Sequence, residues 1–553
     1  MRRTPGMFLA TGILVGGLLP SSAAAAADAP QLVRFHGGGY DQASAVTVDA
    51  ARNVYVAGAV DGASGAGLAV VKLSPTGAVQ WVARYNGSAG GVGGRGFAVA
   101  VGDDGNVYAA GWTSDGAIFG ANIDALVVGF GSDGTQRWAH RIDGPAQGYD
   151  VASEVAVDPA GDVYVGGFTY GQNNGQAYDW LVRKYRASGE LAWSRTHSAP
   201  GTTDDRVADM ALSPSGTLVV TGFAKRADEL TNDLDTVAYR PDGGVAWQRS
   251  FTDTALSHEL PQDLDVDAAG RIAITGIVQE TASPYAVPNP VTLRYDAAGT
   301  LLQTIRDGGD AVDLNPSGDL VTAGFLVDID GNRSGAVSRY SAAGARLWST
   351  PLSVAAEDVL TGLHIAADST GAVTLAATIR DVFVHNDDYA TIRYAAGGTE
   401  LWRHRFNGPV GGDDVVAGLA VDAADEAIVV GTSWNNYLSS RGTADDIVLL
   451  RFAAGAAPAL LAPSGLTATG ISASQVRLTW QDNAGTEDSF AIERCLGVGC
   501  TSFAEVARVG HDVTTYTDSG LARNTQYTYR VRACVASACS PYSGTATGKT
   551  RKR

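Results

Sequence analysis

The chain has 553 residues, with 58 acidic against 40 basic side chains and a formal net charge of −18. That balance disfavours nucleic acid as a partner, because phosphates need basic neighbours. The length is enough for more than one domain.

Residues 1–27 read as a secretory signal: Arg2 and Arg3, an apolar run over 7–19, then alanines over 23–27. The paired arginines also suit twin-arginine export, although ordinary signals carry early arginines too. No cysteine follows the apolar run, so a lipoprotein anchor is not expected. No later stretch reaches the roughly 18–20 apolar residues that span a bilayer. The expected location is secreted, extracellular or at the cell surface, with the periplasm as alternative.

From Ala43 to Phe452 a motif of roughly 53 residues returns eight times. Its anchor is a tight turn at Arg52, Gly105, Gly161, Gly216, Gly270, Gly318, Gly371 and Asp425. Short Val-rich runs flank each anchor, bounded by Asp, Pro and Gly, which is a strand signal. Six residues on stand Gly58, Gly111, Gly167, Gly222, Gly276, Gly324, Ala377 and Gly431. Glycine inside a strand marks a bulge or a close approach. A third strand ends at Leu73, Phe130, Tyr185, Tyr239, Tyr295, Tyr340, Tyr394 and Phe452. A turn follows, and in six copies a tryptophan: Trp81, Trp138, Trp193, Trp247, Trp348 and Trp402. Aromatics at fixed register read as packing between repeats.

Such a unit cannot bury its own faces, so the copies must pack on each other. The eighth copy stops after its third strand. Residues 32–37, LVRFHG, match WVARYNG (81–87) and WRHRFNG (402–408). The N-terminal segment is therefore expected to supply the missing fourth strand. The reading is an all-β, eight-bladed β-propeller over 28–453, with seven blades as the alternative count. The pattern resembles the bacterial SBBP β-propeller repeat family. That resemblance implies a fold and is silent on chemistry.

An Ala/Pro linker follows at 454–463, and then the register changes. Seven short alternating stretches over 464–549 suggest a β-sandwich. All four cysteines lie here, as Cys495, Cys500, Cys534 and Cys539. Two C-x4-C pairs would suit zinc. In a secreted chain two local disulfides are the expectation. APSGLTAT, VRLTW with Trp480, and YTDSGLARNTQYTYRVRA resemble a fibronectin type III domain, with Leu521 and Tyr527 at tyrosine-corner spacing. The resemblance implies that both cysteine pairs fall at hairpins.

In a four-stranded blade the second turn and the inter-blade link share one face. That face carries long variable loops, where function is expected. Acids recur there in two sets: Asp41, Asp150, Asp205, Glu259, Asp307 and Asp414, then Asp124, Asp179, Asp233, Asp388 and Asp446. Loop capping explains them, as Asp does in turns. Clustered oxygen ligands for Ca²⁺ are the sharper alternative, with Asp328, Asp330 and Asn332 as best local candidates. No cofactor is required. Trp112, Tyr170, Tyr178, Trp180, Trp434, Asn435, Asn436 and Tyr437 lie on or beside the variable loops and would suit stacking and hydrogen bonding to sugar.

No His-Glu-x-x-His, Gly-x-Ser-x-Gly or phosphate loop is present. His385 with Asp387 and Asp388 is the nearest to a catalytic group. A catalytic pair is expected to break the repeat. The functional expectation is a non-catalytic secreted or surface protein binding a glycan or protein on the loop face. The alternative is an extracellular carbohydrate-active hydrolase or lyase with the terminal domain as accessory.

Overall fold

The computed structural model describes residues 30–552 apart from 62–65, 86–92, 115–122, 147, 172–177, 199–203, 226–230, 255, 281–287, 316, 328–332, 355–357, 382–386, 409–411, 435–444, 455–459, 485–486, 488, 511–512 and 536–537. The signal segment lies outside the described residues. Among the described residues there is no helix, and therefore none long and apolar enough to cross a membrane.

Eight four-stranded antiparallel sheets precede a smaller two-sheet unit. Their first strands are Gln42–Val48, Gly94–Val101, Val151–Val157, Arg206–Leu212, Ser257–Val266, Ala311–Leu314, Asp358–Ala367 and Asp414–Val421. The first seven sheets each take four consecutive strands. The eighth takes its outer strand from the N-terminal side: Gln31–Phe35 runs antiparallel to Asp445–Phe452, with Gln31 opposite Arg451 and Phe35 opposite Ile447.

The repeated glycine has a steric cause. Gly58 and Gly111 oppose the first strand where its register shifts, and a Cβ there would collide with the carbonyl of Gln42 or Arg95; Gly324 meets the Gly308 carbonyl in the segment just before its shorter first strand. In the seventh sheet the register jumps from Thr361–Thr378 to His364–Ala376, so Ala377 pairs with Ala390 of the third strand but faces no first-strand residue, and a methyl fits.

Apolar residues on both faces of each sheet are buried because a neighbouring sheet covers each one. Eight clusters form the core, each shared by two sheets. One joins Val54, Val56 and Leu73 to Ile428, Val430 and Leu449, so the eighth sheet packs on the first. The first strands also lie against one another in order, and that of the eighth lies against that of the first.

A polar latch crosses seven of the eight junctions; at the one between the seventh and eighth sheets Trp402 packs on Phe452 without such a bond among the described residues. The indole N–H of Trp193 donates to the Pro241 carbonyl of the next sheet at 3.0 Å, and Trp81, Trp138, Trp247 and Trp348 repeat this at 2.8–3.3 Å. The two junctions without tryptophan use an amide: Gln303 donates to Gly344 O at 3.1 Å and Gln31 to Thr76 O at 2.6 Å. Gln31 thus fills, in the N-terminal strand, the position Trp81 holds in the first sheet. The turn that receives each latch needs glycine. Gly243 has φ of 81°, and a Cβ would lie 2.8 Å from the Trp193 ring.

The two non-glycine anchors sit at the last two junctions. Arg52 (φ 66°) and Asp425 (φ 60°) adopt the left-handed backbone the other anchors leave to glycine. Each compensates with a cross-junction contact. Asp425 accepts the Ser369 N–H at 2.9 Å and its hydroxyl at 2.7 Å. Arg52 donates from Nε to Asp422 at 2.8 Å and also pairs with Glu426, while Arg451 donates to Asp422 at 2.7 Å. Burial pushes the Asp422 carboxyl up, but Arg52 and the N–H groups of Ala424 and Glu426 hold it below its ordinary value.

The C-terminal unit pairs Ser464–Gly470, Gln475–Gln481 and Thr515–Ser519 in one sheet, against a second built on Ser489–Leu496 and Gln526–Val535. Trp480, Phe490, Leu521, Tyr527 and Tyr529 form its core. The Tyr527 hydroxyl accepts the Ala522 N–H at 3.0 Å, fixing the corner. Both expected disulfides form, Cys495–Cys500 and Cys534–Cys539.

Candidate functional site

The loop-face acids divide by what they hold. Asp41, Asp150, Asp205, Glu259 and Asp414 are fully buried. They accept backbone N–H groups that the loops leave without a strand partner. Asp150 takes Gly144 at 2.9 Å and Tyr170 at 2.8 Å, Asp205 takes Lys225 at 2.8 Å, and Asp41 takes Asp61 at 3.0 Å. Burial raises Asp41 and Asp150, and pushes Asp414 up to about 6. Asp307 does not share this role. It accepts the Tyr340 hydroxyl at 2.7 Å, while Asp310 caps the loop through Phe325 N–H at 2.8 Å. The first strand of the sixth sheet has only four residues, which moves the cap along the chain.

In the second set the partner is often an arginine of the outer strand. Asp124 pairs with Arg141, Asp388 with Arg405 at 2.6 Å, and Asp446 with Arg34 at 3.6 Å. Arg34 therefore does for the eighth sheet what Arg141 does for the second. His36 adds a contact to Asp446 at 2.9 Å. Asp387, beside the nearest catalytic candidate, is paired with Arg380 at 2.8 Å. His385 lies outside the described residues.

Of the aromatic candidates, Tyr170 and Tyr178 come together. They stand opposite each other at the loop ends of the second and third strands of the third sheet. Their rings are 5.1 Å apart, and Phe168 lies 5.2 Å from Tyr178. The Arg206 guanidinium sits 4.4 Å from the Tyr178 centroid and 4.9 Å from that of Phe168. Tyr149, which sequence reasoning missed, stands beside Asp150 and is 51% exposed. Asp204 lies 4.0 Å from Arg206. The result is an aromatic wall with a cation and a carboxylate on its rim.

Trp112 and Trp434 lie on the second and eighth sheets, apart from this wall and both partly buried. Trp180 is a correction. It is fully buried, its indole N–H donates to Phe223 O at 3.2 Å, and its ring belongs to the core between the third and fourth sheets. It cannot stack on a sugar. Asn435, Asn436 and Tyr437, and the Ca²⁺ candidates Asp328, Asp330 and Asn332, lie outside the described residues.

A different trio has metal-like spacing. One oxygen from each of Asp124, Asp143 and Asp150 lies within 4.8 Å of the others. Asp124 and Asp150 belong to the two repeated sets, but Asp143 breaks the repeat and no spacing rule selects it. Arg141 already balances Asp124, and Asp150 is committed to two backbone N–H groups.

Residues 461–549 match the Fibronectin type III domain family, so the C-terminal unit is such a domain. No curated protein matches the chain. Among solved structures, the chain is similar to Sqt1 from Chaetomium thermophilum at 13% identity, over 78% of this chain and 99% of that one, with a TM-score of 0.44. A Fn3-like protein from Clostridium thermocellum aligns at 28% identity over 17% of this chain and 96% of that one, with a TM-score of 0.15.

Proposed function

We propose that the eight sheets are the blades of a closed β-propeller of the SBBP-like kind, and that this secreted protein binds a glycan on its long-loop face without transforming it. Ring closure is supported by the cluster shared between the eighth and first sheets and by the Gln31 latch. Two disulfides suit an oxidising compartment. The fibronectin type III domain serves as spacer or second contact.

The observation that carries the binding reading is the wall of Phe168, Tyr170 and Tyr178 with Arg206 and Asp204 at its rim, and the exposed Tyr149 near enough to Tyr178 to act on its charge. Tyrosine offers a large flat apolar face at low entropic cost, and flanking charged groups can hydrogen-bond hydroxyls. The test is affinity electrophoresis of the full chain through a panel of polysaccharides. One polysaccharide should retard the native chain, and Tyr149→Ala should lose at least about tenfold in affinity, as expected when an exposed aromatic contact worth about 1.4 kcal/mol is removed. Equal retardation of variant and native chain would refute the site. Release of reducing ends or unsaturated products would refute the non-catalytic reading.

A further inference from the structure

Charge is unevenly spread over the fibronectin type III domain. Residues 461–553 hold ten basic and seven acidic side chains, in a chain whose net charge is −18. One end of the sandwich lies where Ser464–Gly470 turns into Gln475–Gln481, where Ser489–Leu496 and Ala546–Lys549 stop, and where Gln526–Val535 starts. Register brings these points together: Gly470 stands opposite Val476, Leu496 opposite Tyr527, and Lys549 opposite Gln526. The segments that meet there are 470–476, 496–503, 519–526 and 548–552. They carry Arg523, Lys549, Arg551 and Lys552, all exposed, and no aspartate or glutamate.

The backbone fixes this cluster of cations. Arg551 N–H donates to Ser472 O at 2.9 Å, its Nε donates to Gly470 O at 3.1 Å, and Asn524 N–H donates to Arg551 O at 3.2 Å. The carboxylates along the strands are taken by other cations. Glu493 is held by Arg530 at 2.6 Å and Arg532 at 3.3 Å, Asp518 by Arg494 at 2.7 Å, and Glu505 by Arg508 at 3.2 Å. Asp482 and Glu487 precede Ser489–Leu496, at the opposite end of the sandwich.

The same end carries the most exposed apolar side chains. Leu496 is 69% and Val498 67% exposed, and no other large apolar side chain among the described residues exceeds 54%. Both stand at the tip of the hairpin closed by Cys495–Cys500. Each is followed by a glycine in left-handed backbone, Gly497 at φ 90° and Gly499 at φ 69°. Gly497 N–H donates to Gln526 O at 2.9 Å, and Gly497 O accepts the Thr528 hydroxyl at 2.7 Å. The tip is thus tied to the strand that pairs with Lys549. A tip held in this way loses little conformational freedom when its side chains are covered.

We propose that this end of the fibronectin type III domain docks on an anionic lipid bilayer, with Leu496 and Val498 entering the acyl boundary and Arg523, Lys549, Arg551 and Lys552 on the headgroups. Hydrocarbon accepts a projecting aliphatic tip, which has neither the flat ring nor the hydrogen-bonding groups that a sugar needs. Anionic headgroups attract the cations around it, and the two effects add. The chain's overall excess of acid does not oppose this contact, because charges more than about 8 Å away are screened at physiological salt. The docking is independent of glycan binding at the tyrosine wall.

The test is cosedimentation with vesicles of phosphatidylcholine, alone or mixed with phosphatidylglycerol. The chain from Asp28 onward is used, so that the apolar run over 7–19 does not itself insert. It should sediment with the mixed vesicles and stay in solution with the neutral ones. A cation at the bilayer surface contributes about fivefold, so Lys549→Gln with Lys552→Gln should weaken binding about 25-fold. Leu496→Ser with Val498→Ser should weaken it at least about tenfold. All four side chains are exposed, so both variants should melt with the native chain. Absence of vesicle binding, or equal binding to neutral vesicles, would overturn the proposal. So would full binding by the serine variant together with loss in the glutamine variant, which marks a site for soluble polyanions. A dimer of the native chain that the serine variant abolishes, without vesicle binding, would assign the tip to a second copy instead.

Discussion

Arg52 offers a quantitative test of the junction between the eighth and first sheets, because two effects of opposite sign meet in one residue. Its φ of 66° is a conformation that costs a residue with a Cβ about 1 kcal/mol relative to glycine. Against this stands the pair with Asp422. The arginine side chain is 32% exposed and the carboxylate fully buried. Breaking a fully buried pair costs about 3–5 kcal/mol and an exposed pair at most about 1. Arg451 remains on Asp422 at 2.7 Å after Arg52 is removed, so the loss falls near 2–3 kcal/mol. Arg52→Gly relieves the backbone cost and should be destabilised by about 1–2 kcal/mol net. Arg52→Ala keeps that cost and should fall about 1 kcal/mol below the glycine variant. Urea unfolding is the assay, since a guanidinium salt would screen the ion pair. Trp480 is the one tryptophan of the C-terminal domain, so fluorescence reports mainly on the eight sheets. A glycine variant as stable as the native chain would refute the cross-junction clasp.

The tryptophan latch predicts that Gly243→Ala costs about 2–4 kcal/mol, combining the φ of 81° with overlap onto Trp193, as measured by the same urea titration. Reducing Cys495–Cys500 and Cys534–Cys539, each closing a loop of sequence separation 5, should lower the melting of the fibronectin type III domain alone. Calorimetry resolves that transition, and a concurrent shift of the eight-sheet transition would contradict the independence of the two units.

Much of the architecture is legible because repetition turns one strand assignment into eight. The anchors, the interior glycines and the N-terminal match to the outer strands all follow from register alone. Exposure is not legible in the same way. Trp180 sits beside a variable loop in sequence, yet a strand covered on both faces gives alternation no exposed side to mark. Asp307 fell outside its expected role because the sixth sheet shortens its first strand to Ala311–Leu314 and shifts the cap to Asp310. The tyrosine wall is half legible. Tyr170 and Tyr178 share a strand pair, but Tyr149 and Asp143 arrive through an inter-sheet link whose path no periodicity sets.

The proposed closure of the eight sheets into a ring by Gln31–Phe35 is tested most directly by the melting temperature of a chain lacking residues 30–40, with and without a synthetic peptide of that sequence. Closure predicts a lower melting temperature for the truncated chain and recovery when the peptide is added. An unchanged melting temperature in the truncated chain would contradict it.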